Sequence, residues 1–409
     1  MSVAEELRRR LLGLVGDAEL RRLSPGLALA VSFAVGSDAV ALVFADGHVT
    51  VDTVVEGDVS IVADEKAWRQ VLSSPPPPRF HSFTAWQIAN PDFQVGGEPL
   101  RIAQARAALE RIVELLVGET ASRPSPYLRD MAQLSGRYHP MLVGETSFQV
   151  YCDHAGQGVP VLLLHTAGAD SRQFLAQTSD VELARDYRMY GLDLPFHGRS
   201  LPPDDWTGEP YRLTAEIYKS WCAAFIEQVI GEPALVVGCS MGAAMALVMA
   251  ADRPDLVRGA VALEPPFRSP GRRNPYQNHV AVHGGLHNGA FVRGLMSPTS
   301  PIACRRRASW IYSQGGPGVY PGDLAFYSDE FDGAEVAPRI DAARTPVALL
   351  SGVYDYSATP ADGARLAELI PGALHVVMDG IGHFPMTENP DHFRRYLLQG
   401  LEHARSRAA

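Results

Sequence analysis

The stretch ALVVGCSMGAAMALVMA joins an apolar run to small, helix-favouring residues through Gly238-Cys239-Ser240-Met241-Gly242. A Gly-x-Ser-x-Gly turn between strand and helix strains the serine backbone and sets its hydroxyl at the carboxyl edge of a sheet, while the glycines leave room for the neighbouring strand and helix. A helix beginning at Ser240 aims its free N–H groups at any oxyanion formed there, and Met241 N–H is the first expected donor. A serine hydroxyl is a weak nucleophile until a base takes its proton, and neutral imidazole suits that task near pH 7. DGIGHFPMTENP supplies His383, in a loop just after an apolar run. LLSGVYDYSATP supplies Asp355, which can orient that imidazole and stabilise it once charged. Rival carboxylates are Asp379, close to His383, and Glu264, which ends GAVALE and is also a candidate auxiliary acid and substrate contact. Ser240 alone reads equally well as a helix cap, and His383 alone as a loop histidine. Their order and their placement at strand ends, taken together, point to acyl transfer.

These residues need a sheet that brings several strand ends to one edge. From residue 136 onward the chain alternates short apolar runs (VPVLLLH, YRMYGLD, ALVVG, GAVALE, PVALLSG, ALHVVMD) with helix-length segments, the pattern of parallel strands covered on both faces. Residues 265 to 340 break that alternation, so a cap over the active site is expected there. Before residue 118 the pattern differs. LALAVSFAV, AVALVFAD, HVTVDTVV and DVSIVAD read as short antiparallel strands, with helices at the start, around residues 65 to 72 and over residues 99 to 117. Residues 1 to 117 are therefore expected to form an α+β domain. Residues 118 to 135, rich in Gly, Ser and Pro, form a linker, and residues 136 to 409 form an α/β domain.

The chain order Ser240, Asp355, His383, each at a strand's carboxyl end, resembles the α/β-hydrolase family, particularly its esterase, lactonase and carbon–carbon hydrolase branch. His165-Thr166-Ala167-Gly168 is similar to that family's His-Gly-x-Gly loop, with threonine in place of the first glycine. The resemblance implies Ala167 N–H as second oxyanion donor and makes Thr166 a candidate substrate contact. YGLDLPFHGRS resembles the family's Asp-x-x-x-x-Gly-x-Ser loop, which implies a structural role for Asp193 and His197. DVSIVADEKAW and FQVGGEPL are similar to the sterol carrier protein 2 family, whose sheet and helices enclose an apolar tunnel for lipids. The proline run at residues 75 to 78 departs from that family. Lipid binding and a plain packing or dimerisation role stand side by side for this domain.

A net charge of −10 repels phosphate backbones, and Arg305 to Arg307 is too short a cluster for a nucleic-acid surface. No run of about 18 apolar residues is present to span a membrane. The opening residues lack the pattern of a secretion signal, so a cytoplasmic protein is expected. Four scattered cysteines form neither a disulfide framework nor a zinc site. His279, His283 and His287 recur four apart, but Gly284 and Gly285 interrupt any helix and no carboxylate joins them; metal and cofactor are expected to be absent. The expected reaction is hydrolysis of a small-molecule carboxylic ester through an acyl-enzyme on Ser240. The alternatives are hydrolysis of a carbon–carbon bond in a diketone or ring-cleavage product and, from another class, non-catalytic lipid binding.

Overall fold

The computed structural model describes residues 2–52 and 57–406. Its first sheet contains β1 (Leu29–Val35), β2 (Asp38–Ala45), β3 (His48–Asp52), β4 (Val59–Ala63) and β5 (Phe93–Gly97), in the order β3-β2-β1-β4-β5. The strand expected from residue 48 continues on paper through residues 53–55, which lie outside the described residues. Most neighbours are antiparallel, as the alternating pattern suggests. β1 and β4, however, pair in parallel, because β4 returns beside β1 after the β2 and β3 excursion.

The helix Pro99–Val117 buries Ile102, Ala105, Leu109, Ile112 and Leu116, the residues its 3.6-residue period singles out. Between sheet and helices the space is filled by aromatic rings. Trp68 meets Trp86 edge-on at 5.5 Å, and Trp86 stacks on Phe93 at 4.6 Å, geometries that add to the apolar burial.

The second sheet holds eight strands: β6 (Ser135–Val143), β7 (Thr146–Ala155), β8 (Val159–Leu164), β9 (Tyr187–Leu192), β10 (Ala234–Cys239), β11 (Val257–Leu263), β12 (Val347–Gly352) and β13 (Leu374–Met378). Their order is β13-β12-β11-β10-β8-β9-β7-β6, parallel from β8 onward. The apolar runs predict the parallel strands, and β6 and β7 add an antiparallel edge to them. β6 (SGRYHPMLV) is mostly exposed, so it carries no apolar run to announce it. The order reverses at β8. The chain leaves β8 toward β9 on one side and returns to β10 on the other, which opens a crevice at the carboxyl ends of β8 and β10. Leu164 pairs with Gly238 in register, so the loops that follow these strands start side by side. Among the described residues no helix is long and apolar enough to cross a membrane.

Ion pairs bind the first 117 residues to the helices at 284–312. Glu114 is fully buried on the helix Pro99–Val117 and its Oε1 accepts from Arg293 Nε at 2.7 Å; Arg305 Nη2 lies 2.7 Å from the same oxygen as an ion pair, out of line for a hydrogen bond. Arg111 Nη1 reaches it at 3.0 Å from the same helix. One turn earlier, Glu110 accepts from Thr84 N–H (3.1 Å) and Thr84 hydroxyl (3.0 Å), while its Oε1 has no hydrogen-bond partner among the described residues.

Burial, reinforced by the charge of Glu114, pushes the Glu110 carboxyl up to about 7 despite the Thr84 bonds. The folded protein thus holds this proton more tightly than the unfolded chain. The linked stability is full below about pH 4.5 and is lost as pH rises to about 7. The loss is of order 3 kcal/mol. Urea midpoints should therefore fall from pH 5 to pH 8 more steeply in the wild type than in Glu110→Gln; parallel profiles would refute the assignment.

Candidate active site

Ser240 follows β10 with φ 55° and ψ −110°, a conformation that non-glycine residues rarely adopt. It is held there by its N–H, which donates to Leu263 O at 2.9 Å, and by the helix Met241–Asp252 that follows at once. The flanking glycines are needed sterically. A β-carbon on Gly238 would lie 2.0 Å from Gly242 O, and one on Gly242 would lie 2.3 Å from Leu164 O.

The structure brings Ser240, His383 and Asp355 together. Ser240 Oγ lies 2.8 Å from His383 Nε2, and His383 Nδ1 lies 2.6 Å from Asp355 Oδ2. The other Asp355 oxygen accepts N–H bonds from Ser357 (2.7 Å) and Ala358 (3.1 Å), so its rotamer is fixed from both sides. All three side chains are buried, where such charge-assisted bonds gain strength.

The loop carrying His383 rests on a carboxyl that sequence reasoning missed. Glu388, fully buried, accepts from Gly382 N–H (2.8 Å) and Phe384 N–H (3.1 Å) with one oxygen, and from Ser297 N–H (2.7 Å) and Ser300 hydroxyl (3.0 Å) with the other. Burial pushes it up to about 7 against those donors. It ties both neighbours of His383 to residues 297–300. Its signal in sequence is only an acid five residues after the histidine.

Ala167 follows β8 and lines the cavity at Ser240. Neither Ala167 N–H nor Met241 N–H donates to a described residue, which leaves both amides available to an incoming oxygen. The two expected substrate contacts are placed elsewhere. Thr166 is buried, its hydroxyl bonded to Gln173 Oε1 (3.1 Å) and to the Tyr312 hydroxyl, so it braces the loop and does not line the cavity. Glu264 is fully buried with φ 50°, and its Oε2 accepts Gly352 N–H at 2.7 Å. Burial, then the charge of Asp355, holds its carboxyl well above the usual range, and it packs behind Asp355 without lining the cavity.

Asp193 accepts Ser171 N–H (2.9 Å) and Arg199 N–H (2.9 Å), bonds that organise its own loop. His197 contacts Asp323 at 2.8 Å. That carboxylate, from the helix Val319–Leu324, also receives Gly168 N–H at 2.7 Å and Tyr211 hydroxyl at 2.8 Å. Burial works against a charged His197, but Asp323 overcomes it and raises the imidazole above its ordinary value. Asp323 thus ties the segment at 265–340 to the loop of Ala167. Of the three spaced histidines, His283 caps the helix Gly284–Arg293 and His287 is buried within it.

The cavity in front of Ser240 measures about 20 Å³, room for about one water. Tyr312, Tyr320 and Tyr327 crowd it, and the Tyr327 phenol interacts with the Ser240 hydroxyl. The space in front of the Ser240 hydroxyl is thus smaller than an organic substrate.

A family model described as the alpha/beta hydrolase family matches residues 161–394, more than half of the chain. The chain belongs to the alpha/beta hydrolase family. Among curated relatives, the chloroplastic pheophytinase of Arabidopsis thaliana is 24% identical over 301 residues, covering 60% of this chain and 62% of that protein. The chain thus spans less than two thirds of that relative. The pimeloyl-(acyl-carrier protein) methyl ester esterase of Chromobacterium violaceum is 28% identical over 273 residues, covering 62% of this chain and 98% of that protein. Among solved structures, a thermophilic esterase from Thermogutta terrifontis aligns with a TM-score of 0.57 at 19% identity, over 66% of this chain and 100% of its own, a likeness of fold.

Proposed function

We propose that this protein hydrolyses a carboxylic ester through an acyl-enzyme on Ser240. His383 takes the Ser240 proton as the hydroxyl attacks the carbonyl, then passes it to the leaving alcohol. Asp355 holds the imidazole in the tautomer that accepts at Nε2 and stabilises the imidazolium. Ala167 and Met241 N–H receive the oxyanion, and water, deprotonated by the same histidine, releases the acid. The observation that carries this reading is the continuous chain Ser240 Oγ, His383 Nε2, His383 Nδ1, Asp355 Oδ2, with links of 2.8 and 2.6 Å. The match to a methyl ester esterase over nearly that protein's whole length supports the choice of ester over carbon–carbon bond.

Residues 265–340 are proposed as a cap. Residues 1–117, with their five-stranded sheet, are proposed as the sterol carrier protein 2-like domain, joined by residues 118–135 to the hydrolase domain at 136–409. The aromatic packing of Trp68, Trp86 and Phe93 favours a bracing role for that domain over carriage of a lipid in its core.

The experiment is turnover of short nitrophenyl esters, with mass spectrometry after brief exposure to a fluorophosphonate. Label on the peptide containing Ser240, with loss of turnover in proportion, is expected. Label elsewhere, or no ester turnover by the wild type, would overturn the reading.

A further inference from the structure

A chamber of about 570 Å³ lies between the N-terminal domain and the segment at 265–340. Its walls include Ile102 and Arg106 from the helix Pro99–Val117, and Arg272, Phe291 and Tyr356 from the other side. Arg272 and Phe291 also line the small cavity at Ser240, so these two side chains stand between the spaces. Tyr356 adjoins Asp355 in the chain. The chamber is therefore within one side chain of the reacting serine.

Its charge is unlike that of the rest of the molecule. The chain carries a net −10, yet no Asp or Glu lines this chamber among the described residues. Arg106 is 6% exposed and bonds only to neutral groups, the Thr84 hydroxyl at 3.1 Å and the Gln87 side-chain oxygen. Its Nε has no hydrogen-bond partner among the described residues, and the carboxyl that acts on it, Glu110, is reached only through the shared Thr84 hydroxyl. The Arg272 backbone is anchored, N–H to Ser328 hydroxyl at 3.1 Å and carbonyl to Gln277 Nε2 at 2.9 Å. Its guanidinium makes neither a hydrogen bond nor an ion pair with a described residue. A guanidinium such as that of Arg272, on a partly dry wall without an ion pair, is stabilised when an anion completes it, and Arg is the side chain best shaped to bind carboxylate.

We propose that this chamber is a substrate subsite that recognises a carboxylate carried by the ester, with Arg272 as its anchor and Arg106 setting the positive potential behind it. The assignment rests on the ester-hydrolase reading of Ser240. The ester bond lies at Ser240, the connecting atoms pass Phe291, and the carboxylate lies in the chamber. The N-terminal domain thereby forms part of the substrate site.

The test uses the full chain and two matched pairs of esters. One places the carboxylate on the acyl side, nitrophenyl hydrogen glutarate against nitrophenyl pentanoate. The other places it on the alcohol side, the butyrate ester of 4-hydroxybenzoate against phenyl butyrate. In at least one pair the carboxylate ester should show a kcat/KM tenfold or more above its neutral partner, carried by KM. Arg272→Gln should lower that ratio tenfold or more, and Arg272→Lys should restore part of it. Ratios near one in both pairs, or a ratio unmoved in Arg272→Gln, would overturn the subsite. A binding measurement keeps this separate from the chemistry. Monomethyl glutarate and the monoanion of 4-hydroxybenzoate are titrated calorimetrically into Ser240→Ala, with and without Arg272→Gln. Binding of either that is lost with Arg272 supports the subsite even if no ester is turned over, and binding of neither overturns it. Absent turnover alone sinks only the ester reading.

Discussion

Ser240→Ala is expected to lower kcat/KM on nitrophenyl esters by roughly 10³-fold or more, with the fold intact. The size follows from what the change removes. Without Oγ there is no acyl-enzyme, and the remaining rate comes from His383 activating water beside the Ala167 and Met241 amides. The substitution removes one oxygen from a buried turn whose backbone bond to Leu263 O is unaffected, so thermal unfolding should move little. His383→Ala should fall to a similar rate, and the double variant should be no worse than either, since the two act as one unit. A Ser240→Ala rate within tenfold of the wild type would place the chemistry elsewhere.

Glu114→Gln is expected to cost about 3–5 kcal/mol of stability, the range for breaking a buried ion pair from one side. The loss falls unevenly on the partners. Arg111 keeps Asp17 and Glu119, and Arg293 keeps Glu19, whereas Arg305 loses its one ion pair among the described residues while fully buried. Arg305→Met in the Glu114→Gln background should recover part of the loss by removing the stranded charge. Urea denaturation of the four variants in a double-mutant cycle measures this. A loss below about 1 kcal/mol, or no recovery in the double variant, would show that the network adds nothing.

The parts of the site legible in the sequence are those whose geometry is set locally. The turn at Ser240 needs only an adjoining strand, two glycines and an adjoining helix, and all are written within 17 residues. His383 and Asp355 follow apolar runs, so their strand-end placement could be read. Glu388, Asp323, Tyr327 and Arg272 could not. Asp323, Tyr327 and Arg272 act on groups that reach them through tertiary packing, as Asp323 does on Gly168 and His197, and Glu388 left only its spacing from His383 although its amide partners Gly382 and Phe384 are close in sequence. Thr166 and Glu264 read in the sequence as substrate contacts, and neither lines the cavity at Ser240. The solvent-excluded interior claimed both, and a loop position says nothing about which way a hydroxyl turns. In the fold, the long amphipathic helix at residues 99–117 was clear from its period, while exposed β6 and the parallel β1–β4 pair depend on neighbours the chain meets only after folding.

The acid loop closes from far away. Tyr354 hydroxyl donates to Pro76 O at 2.9 Å, and Tyr356 hydroxyl meets Ser82 Oγ at 3.2 Å, contacts 278 and 274 residues apart in the chain. His81, buried and held neutral because burial and then the nearby Arg305 push it down to about 3, wedges edge-on against the Tyr354 ring at 5.2 Å. Loops of that length close late in folding, since their entropy is spent before the contact returns anything. Secondary structure and most of both cores can therefore form before the two tyrosines that bracket Asp355 find their seats. Activity is therefore expected to return later in refolding than the far-ultraviolet circular dichroism signal, and simultaneous recovery of the two would show that this docking is not the last step.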